Sequence, residues 1–199
     1  SPTVLVVGPA MQVRTLAAYV TKARAEPGRV TAGTPGVGSS GHFATELFAR
    51  ANGLKLNHVP YKGAAPVVND LMGGQLDSSF ATLGSVLPQV EGGKLAALAV
   101  ASPRRSALLP QVPTFAEAGG GDFSADAWYG VLTPAGVPAP IVQALEGAAA
   151  AFAKSAATAD KLRGLGLEAA SLCGAPFAEQ VRREAATYTR IARELDLKA

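Results

Sequence analysis

Cysteine is almost missing from this sequence: Cys173 stands alone among 199 residues. No internal disulfide and no cysteine-based metal centre can form from a single thiol. Cys173 neighbours a glycine and has no base near it in sequence, so it is not a nucleophile candidate. Histidine is nearly as scarce, with only His42 and His58. Two imidazoles are too few for a histidine-rich metal site, and neither a metal nor a cofactor is expected. Aromatic residues make up 6% of the chain and charged residues 17%, for a formal net charge of +3. The cations are dispersed, with Arg104-Arg105 and Arg182-Arg183 as the adjacent pairs. Nucleic-acid surfaces need clustered cations and stacking platforms, so no nucleic-acid partner is expected. Long apolar runs are missing too, because charges, glycines and prolines interrupt each one before it could span a bilayer. Ser1-Pro2-Thr3 is not a basic leader and Val4–Val7 is too short for the apolar part of one. The start of the chain reads as processed, truncated or recombinant.

What the chain does have is apolar residues, 48% of the total, cut into short pieces by 22 glycines and 14 prolines. That content builds a real core in one large or two small domains. Val4–Val7 reads as a buried strand. Thr15 offers an N-cap to a helix through Leu16, Tyr19, Val20 and Ala23 that stops at Pro27-Gly28. Strands follow at Val30–Thr34, Leu56–Val59, Leu76–Phe80 and Leu95–Ala101. Between them lie helices from Phe43 to Ala51 and from Ala64 to Met72, then a Thr82–Ser85 loop and a short Val86–Val90 helix. Alternation at this pace predicts an α/β domain with a mainly parallel, buried sheet. After Ser102 the pattern loosens. Thr114-Phe115-Ala116-Glu117 fits a capping box opening a brief helix, and Trp128–Leu132 reads as a single strand. Helices at Ile141–Lys154, about Ala157–Leu165 and Phe177–Leu195 complete the chain. The last carries an apolar stripe of Phe177, Val181, Tyr188, Ile191 and Leu195. This half has too little strand for an α/β domain of its own.

The stretch that points to function is Gly33–His42, Gly-Thr-Pro-Gly-Val-Gly-Ser-Ser-Gly-His. A strand enters it and a helix leaves it, a geometry that gathers unpaired backbone N–H groups at a helix N-terminus. Glycines there allow positive φ and a close approach of ligand to backbone. Gly36, Val37, Gly38, Ser39 and Ser40 are accordingly candidates to bind an anion, a carboxylate or a phosphate. An ordinary tight turn with a serine N-cap is the competing reading. Tyr61 and Lys62 follow one strand, and Thr82, Leu83 and Gly84 follow another, at the strand ends where open α/β sheets place ligands. Tyr61 could donate its hydroxyl, Lys62 charge, and Thr82–Gly84 amides and a hydroxyl; packing and solvation compete. His42, in the first helical turn, is read as neutral and structural. Asp70 and Asp77 are read as capping or surface groups, and Trp128 as packing. The loop lacks the Lys-Ser/Thr ending of a P-loop and is not a placed dinucleotide fingerprint, which disfavours a phosphate- or nucleotide-handling enzyme.

Six segments in register carry a family resemblance: GTPGVGSSGH (33–42), HVPYKG (58–63), NDLMGGQLD (69–77), LPQVEGGKLAALAV (87–100), LPQVPTFAEAG (109–119) and WYGVLTPAGVP (128–138). They resemble the Bug family, the extracytoplasmic solute receptors of bacterial tripartite tricarboxylate transporters. The resemblance implies an α/β, periplasmic binding protein type II-like fold whose two lobes close on a small organic anion, often a dicarboxylate. Residues 1–7 would be a crossing strand, 8–121 a complete α/β lobe bearing the glycine-rich loop, and 122–199 the return strand and C-terminal helices of an incomplete first lobe. It implies a periplasmic protein, not an enzyme, that hands a carboxylate to the membrane components of its transporter. Family members carry a further N-terminal portion that supplies the other wall of the cleft, and nothing here matches it. The C-terminal helices would then expose apolar faces, which predicts a homo-oligomer or a truncated form that self-associates without binding ligand.

Overall fold

The computed structural model describes residues 1–194 and resolves into two compact units, Ser1–Ala127 and a second that begins at Trp128. The first unit is built on five strands: β1 (Thr3–Val7), β2 (Thr31–Thr34), β3 (Asn57–Pro60), β4 (Ser78–Thr82) and β5 (Ala96–Val100). Their order across the sheet is β3-β2-β4-β1-β5. Strand β2 pairs in parallel with β3 and β4, whereas β1 is antiparallel to both β4 and β5. Four strands therefore run one way, with β1 threaded in reverse between two of them. A reciprocal set of bonds pins β2 to β4: the Thr31 N–H and hydroxyl donate to Asp77 Oδ2 at 2.8 Å each. The Asp77 N–H in turn reaches Thr31 Oγ1 at 2.9 Å. Asp77 is thus a half-buried strand-bridging residue, and not the capping or surface group expected from the sequence.

Burial on both faces explains why β1 is an unbroken apolar run. Leu5 and Val7 face helices α1 (Leu16–Ala25) and α2 (Ser40–Ala51), joining Tyr19, Ala44, Phe48, Phe80 and Phe115. Val4 and Val6 face α3 (Ala64–Met72) and α4 (Leu83–Glu91), joining Val67, Leu71, Leu76 and Val86. The caps follow the sequence: Thr15 Oγ1 accepts the Ala18 N–H at 3.2 Å, and Gly53 closes α2 at φ +61°.

Three local expectations are corrected. Thr82–Ser85 is not a loop preceding a helix at Val86: Leu83 already opens α4, whose Pro88 lies inside the helix. The glycine and serine that suggest a loop occupy its first turn, where both residue types are at home. At Thr114 both capping-box bonds form, Thr114 N–H to Glu117 Oε2 at 2.9 Å and Glu117 N–H to Thr114 Oγ1 at 3.1 Å. Only turns follow, because the chain reaches Gly119–Gly121 before a helix can propagate. Trp128–Leu132 pairs with no strand among the described residues.

The second unit holds α5 (Ala139–Lys154), α6 (Ala156–Gly164) and α7 (Gly174–Glu194). Phe177, Val181, Tyr188 and Ile191 form the less exposed face of α7, with Ile191 2% exposed; Leu195 of the same stripe lies outside the described residues. Trp128 packs edge-on against Phe177 at 5.1 Å and donates its indole N–H to Glu184 at 2.7 Å. No helix of the described residues is long and apolar enough to cross a membrane.

Candidate functional site

Three helices begin where three neighbouring strands end. Strand β2 ends at Thr34 and α2 starts at Ser40; β3 ends at Pro60 and α3 starts at Ala64; β4 ends at Thr82 and α4 starts at Leu83. Because β3, β2 and β4 are parallel and adjacent, the three helix N-termini share one edge of the sheet. Each contributes partial positive charge and unpaired N–H groups to that edge. Backbone bonds tie the first two turns together: the Tyr61 N–H donates to the Thr34 carbonyl and the Gly63 N–H to the Pro35 carbonyl, both at 2.9 Å.

The sequence-predicted candidates all arrive at this edge, but their polar groups are not equally available. Gly36 (φ +153°) and Gly38 (φ +76°) bend the loop in backbone regions that favour glycine, and Val37 between them is 56% exposed. The Gly38 N–H is already engaged, donating to His42 Nδ1 at 3.1 Å. The Ser39 hydroxyl is engaged as well: it donates to the Gly36 carbonyl at 2.7 Å and accepts the His42 N–H at 3.3 Å. Ser39 therefore works as the N-cap. That leaves the N–H groups of Val37, Ser40 and Gly41 without hydrogen-bond partners among the described residues. Gly41 sits where a Cβ would overlap the Phe80 carbonyl oxygen, so α2 packs directly on the backbone of β4.

The other two turns show the same division. The Tyr61 hydroxyl donates to Asp70 Oδ2 at 2.6 Å, and burial together with that carboxylate pushes its pKa up to about 12. Tyr61 thus braces α3, and Asp70 serves as its acceptor. Gly63 caps α3 at φ +109° without any side-chain bond, leaving the first turn uncapped by a side chain. On β4, Thr82 likewise caps α4 without accepting a backbone N–H; its hydroxyl instead donates to Ser85 Oγ at 3.3 Å. The Leu83 N–H is taken by the Pro2 carbonyl at 2.9 Å and its side chain is fully buried. Gly84 and Ser85 bring the half-buried start of α4 to the edge. Lys62, in the turn after β3, is exposed.

Sequence reasoning missed how the loop is held. His42 on α2 and His58 on β3 stack with centroids 4.0 Å apart and planes 9° from parallel. His58 Nε2 lies 2.7 Å from Thr34 Oγ1, and Thr34 is itself buried. Burial lowers the pKa of both imidazoles; for His58, with His42 beside it, the value falls to about 4. Both rings are neutral near pH 7, and His42 is 3% exposed, matching the neutral, hydrogen-bonded role expected of it. The signal available was one histidine in the first turn of an expected helix and the other inside an expected strand, but their pairing needed the β2–β3 adjacency. No group of three or more His, Cys, Asp or Glu able to hold a metal occurs among the described residues. What this edge can offer a ligand is a set of backbone amides. A separate cavity of about 390 Å³ lies elsewhere in the unit, against Arg14–Ala17 and Ala97–Leu98.

Comparison with known proteins gives this geometry a context. The model of the tripartite tricarboxylate transporter family receptor matches residues 1–197. Protein BugT of Bordetella pertussis is 38% identical over 141 residues, 71% of this chain and 43% of that protein. Among solved structures, an R. palustris protein with adipate is 34% identical with a TM-score of 0.83, covering 96% of this chain and 64% of the other. MatC from Rhodopseudomonas palustris with bound malate is 25% identical with a TM-score of 0.82, covering 94% and 65%. The chain thus spans less than two thirds of the length of each of these proteins.

Proposed function

This chain belongs to the tripartite tricarboxylate transporter receptor family, and from that premise we propose that it is the ligand-binding part of a periplasmic solute receptor for a small carboxylate, a dicarboxylate or related acid. The observation that carries this reading is the convergence of three uncapped or half-capped helix N-termini at the β3-β2-β4 edge. A carboxylate takes hydrogen bonds from several amides at once, and such charge-assisted bonds are roughly twice as strong as neutral ones. The binding set we assign is Gly36, Val37, Gly38, Ser39 and Ser40, Tyr61, and Thr82, Leu83 and Gly84. Val37, Ser40 and Gly84 present amides, whereas Gly36, Gly38, Ser39, Tyr61 and Leu83 hold the turns in shape. Gly41 joins the set by its amide. Solved relatives holding adipate and malate support the ligand class. The membrane components of such a transporter are the partners that the reading implies.

Calorimetry tests it, with this chain and with a version extended to the length of its relatives. Heat of binding is expected with adipate or malate in at least one of the two proteins, and none with ATP. A folded extended protein that ignores dicarboxylates, aromatic acids and acidic amino acids alike would sink the reading.

A second observation favours self-association of the chain as given. Helix α5 has no buried residue, and Ile141, Leu145 and Phe152 on it are 52%, 46% and 62% exposed. Tyr129, Val131 and Leu132 are 69–77% exposed in the same unit. Apolar clusters of this kind mark interaction surfaces, and a second copy offers the matching face. Sedimentation at micromolar concentration should find dimers or larger species, and Ile141→Glu with Phe152→Glu should return a monomer. A wild-type chain that sediments as a monomer counts against it.

A further inference from the structure

We propose that the stacked His42–His58 pair is a positioning device for the anion loop, one that holds Gly36–Ser39 in its binding shape while both rings are neutral and releases it when the pair is protonated. This rests on the carboxylate reading of the loop and adds what governs the loop's shape. His42 Nδ1 accepts the Gly38 N–H at 3.1 Å, so it must be unprotonated, and its proton sits on Nε2. Ser39, between these two residues, folds back on Gly36 and caps α2, so the whole turn is closed by bonds among Gly36, Gly38, Ser39 and His42. The second ring fixes the first. His58 stacks on His42 at 4.0 Å and is anchored to buried Thr34, whose hydroxyl also reaches the Gly36 carbonyl at 3.3 Å. One contact network thus runs from the end of β2 through both rings into the loop.

Protonation breaks this network in two ways. A proton on His42 Nδ1 turns an acceptor into a donor aimed at the Gly38 N–H. A charge on either ring faces the partial positive charge of the α2 N-terminus, and a second charge would face the first across the stack. The charged groups on the surrounding segments are few. Glu46 lies one turn further along α2 and favours the His42 cation; Lys62 follows β3; Asp70 on α3 already binds the Tyr61 hydroxyl. Strands β2 and β4 contain no charged residue. Burial outweighs Glu46, since the net direction for His42 is downward. The unfolded chain takes up protons near pH 6.5, and the folded His58 only near about 4. Stability from the neutral pair is therefore complete above pH 6.5 and is lost as pH falls toward about 4.

The test uses the ligand-free protein and nuclear magnetic resonance. Imidazole nitrogens should report His42 with Nδ1 unprotonated near neutral pH. The Gly38 amide signal should hold steady through neutral pH and then move together with the imidazole titration in acid. Exchange of that amide should rise about tenfold or more across the transition. His42→Asn keeps an acceptor near the Nδ1 position and cannot titrate, so Gly38 should stay protected with the acid response reduced. His58→Phe keeps a ring for stacking but cannot bond Thr34, so the Gly38 amide should exchange faster than in the parent already at neutral pH. A Gly38 amide unmoved while His42 titrates, or His42 carrying its proton on Nδ1 at neutral pH, overturns the proposal. Failure of adipate to bind near neutral pH counts instead against the carboxylate reading and leaves this ligand-free test intact.

Discussion

Gly41→Ala is expected to cost about 1–3 kcal/mol of stability, the range typical of overpacking, and to weaken carboxylate binding by on the order of tenfold or more, one lost hydrogen bond's worth. The added Cβ would overlap the carbonyl oxygen of Phe80 and touch the Pro35 ring at 3.4 Å. The first of these is backbone in the middle of the sheet and cannot swing aside as a long side chain could. Helix α2 must lift from β4, and the Ser40 and Gly41 amides move with it. Gly38→Ala is the contrasting variant in the same loop. Nothing lies within 4 Å of its Cβ position, so its cost is only that of a left-handed residue at φ +76°, about 1–2 kcal/mol. Urea unfolding and adipate calorimetry on both variants separate the two causes. If Gly41→Ala melts and binds like the parent, close packing of α2 on β4 is not what builds the site.

The contrast also shows what a sequence conveys and what it leaves to tertiary contact. Glycine richness in Gly33–His42 announced a turn and a helix start, and both lie where expected. It could not separate Gly41, which is small because a carbonyl lies against it, from Gly38, which is a glycine because of its φ. Strand positions were legible from apolar runs bounded by turn residues. Direction was not: β1 is apolar on both faces whichever way it runs, so its reversed insertion between β4 and β5 leaves no mark in the pattern. The Bug-family motifs led to the same receptor family that the whole-chain comparison identifies. The roles of single polar groups were the hardest to read. Tyr61 and Ser39 carry hydroxyls suited to a ligand, yet Asp70 nine residues on and the Gly36 carbonyl three residues back claim them first. The His42–His58 stack joins residues sixteen apart that meet only because β2 and β3 are neighbours.

Phe48→Ala should be the most destabilising single change on α2, with a loss of about 3–5 kcal/mol as for other buried phenylalanines. Its ring is fully buried and lies 5.3 Å from Phe115, 5.4 Å from Phe80, 6.0 Å from Phe123 and 6.3 Å from Tyr19, centroid to centroid. Such tilted and edge-on pairs add to the area that each ring buries. Removing Phe48 opens a cavity lined by rigid rings, which collapse poorly around a void. The half-buried Phe123 should cost less when truncated, since solvent can fill part of its place. Near-UV circular dichroism followed through urea unfolding reads both. A loss below about 1 kcal/mol for Phe48→Ala would place it outside the core cluster. The double variant with Gly41→Ala is the more informative measurement. The two residues are seven apart on one helix, roughly 10 Å along its axis, a separation at which independent effects normally add. If α2 docks as a rigid unit, the lift forced by Gly41→Ala already loosens the Phe48 contacts, and the double loss falls short of the sum. Additivity would mean instead that the N-terminal turn, with its amides, can shift while the aromatic cluster holds the rest of α2 in place.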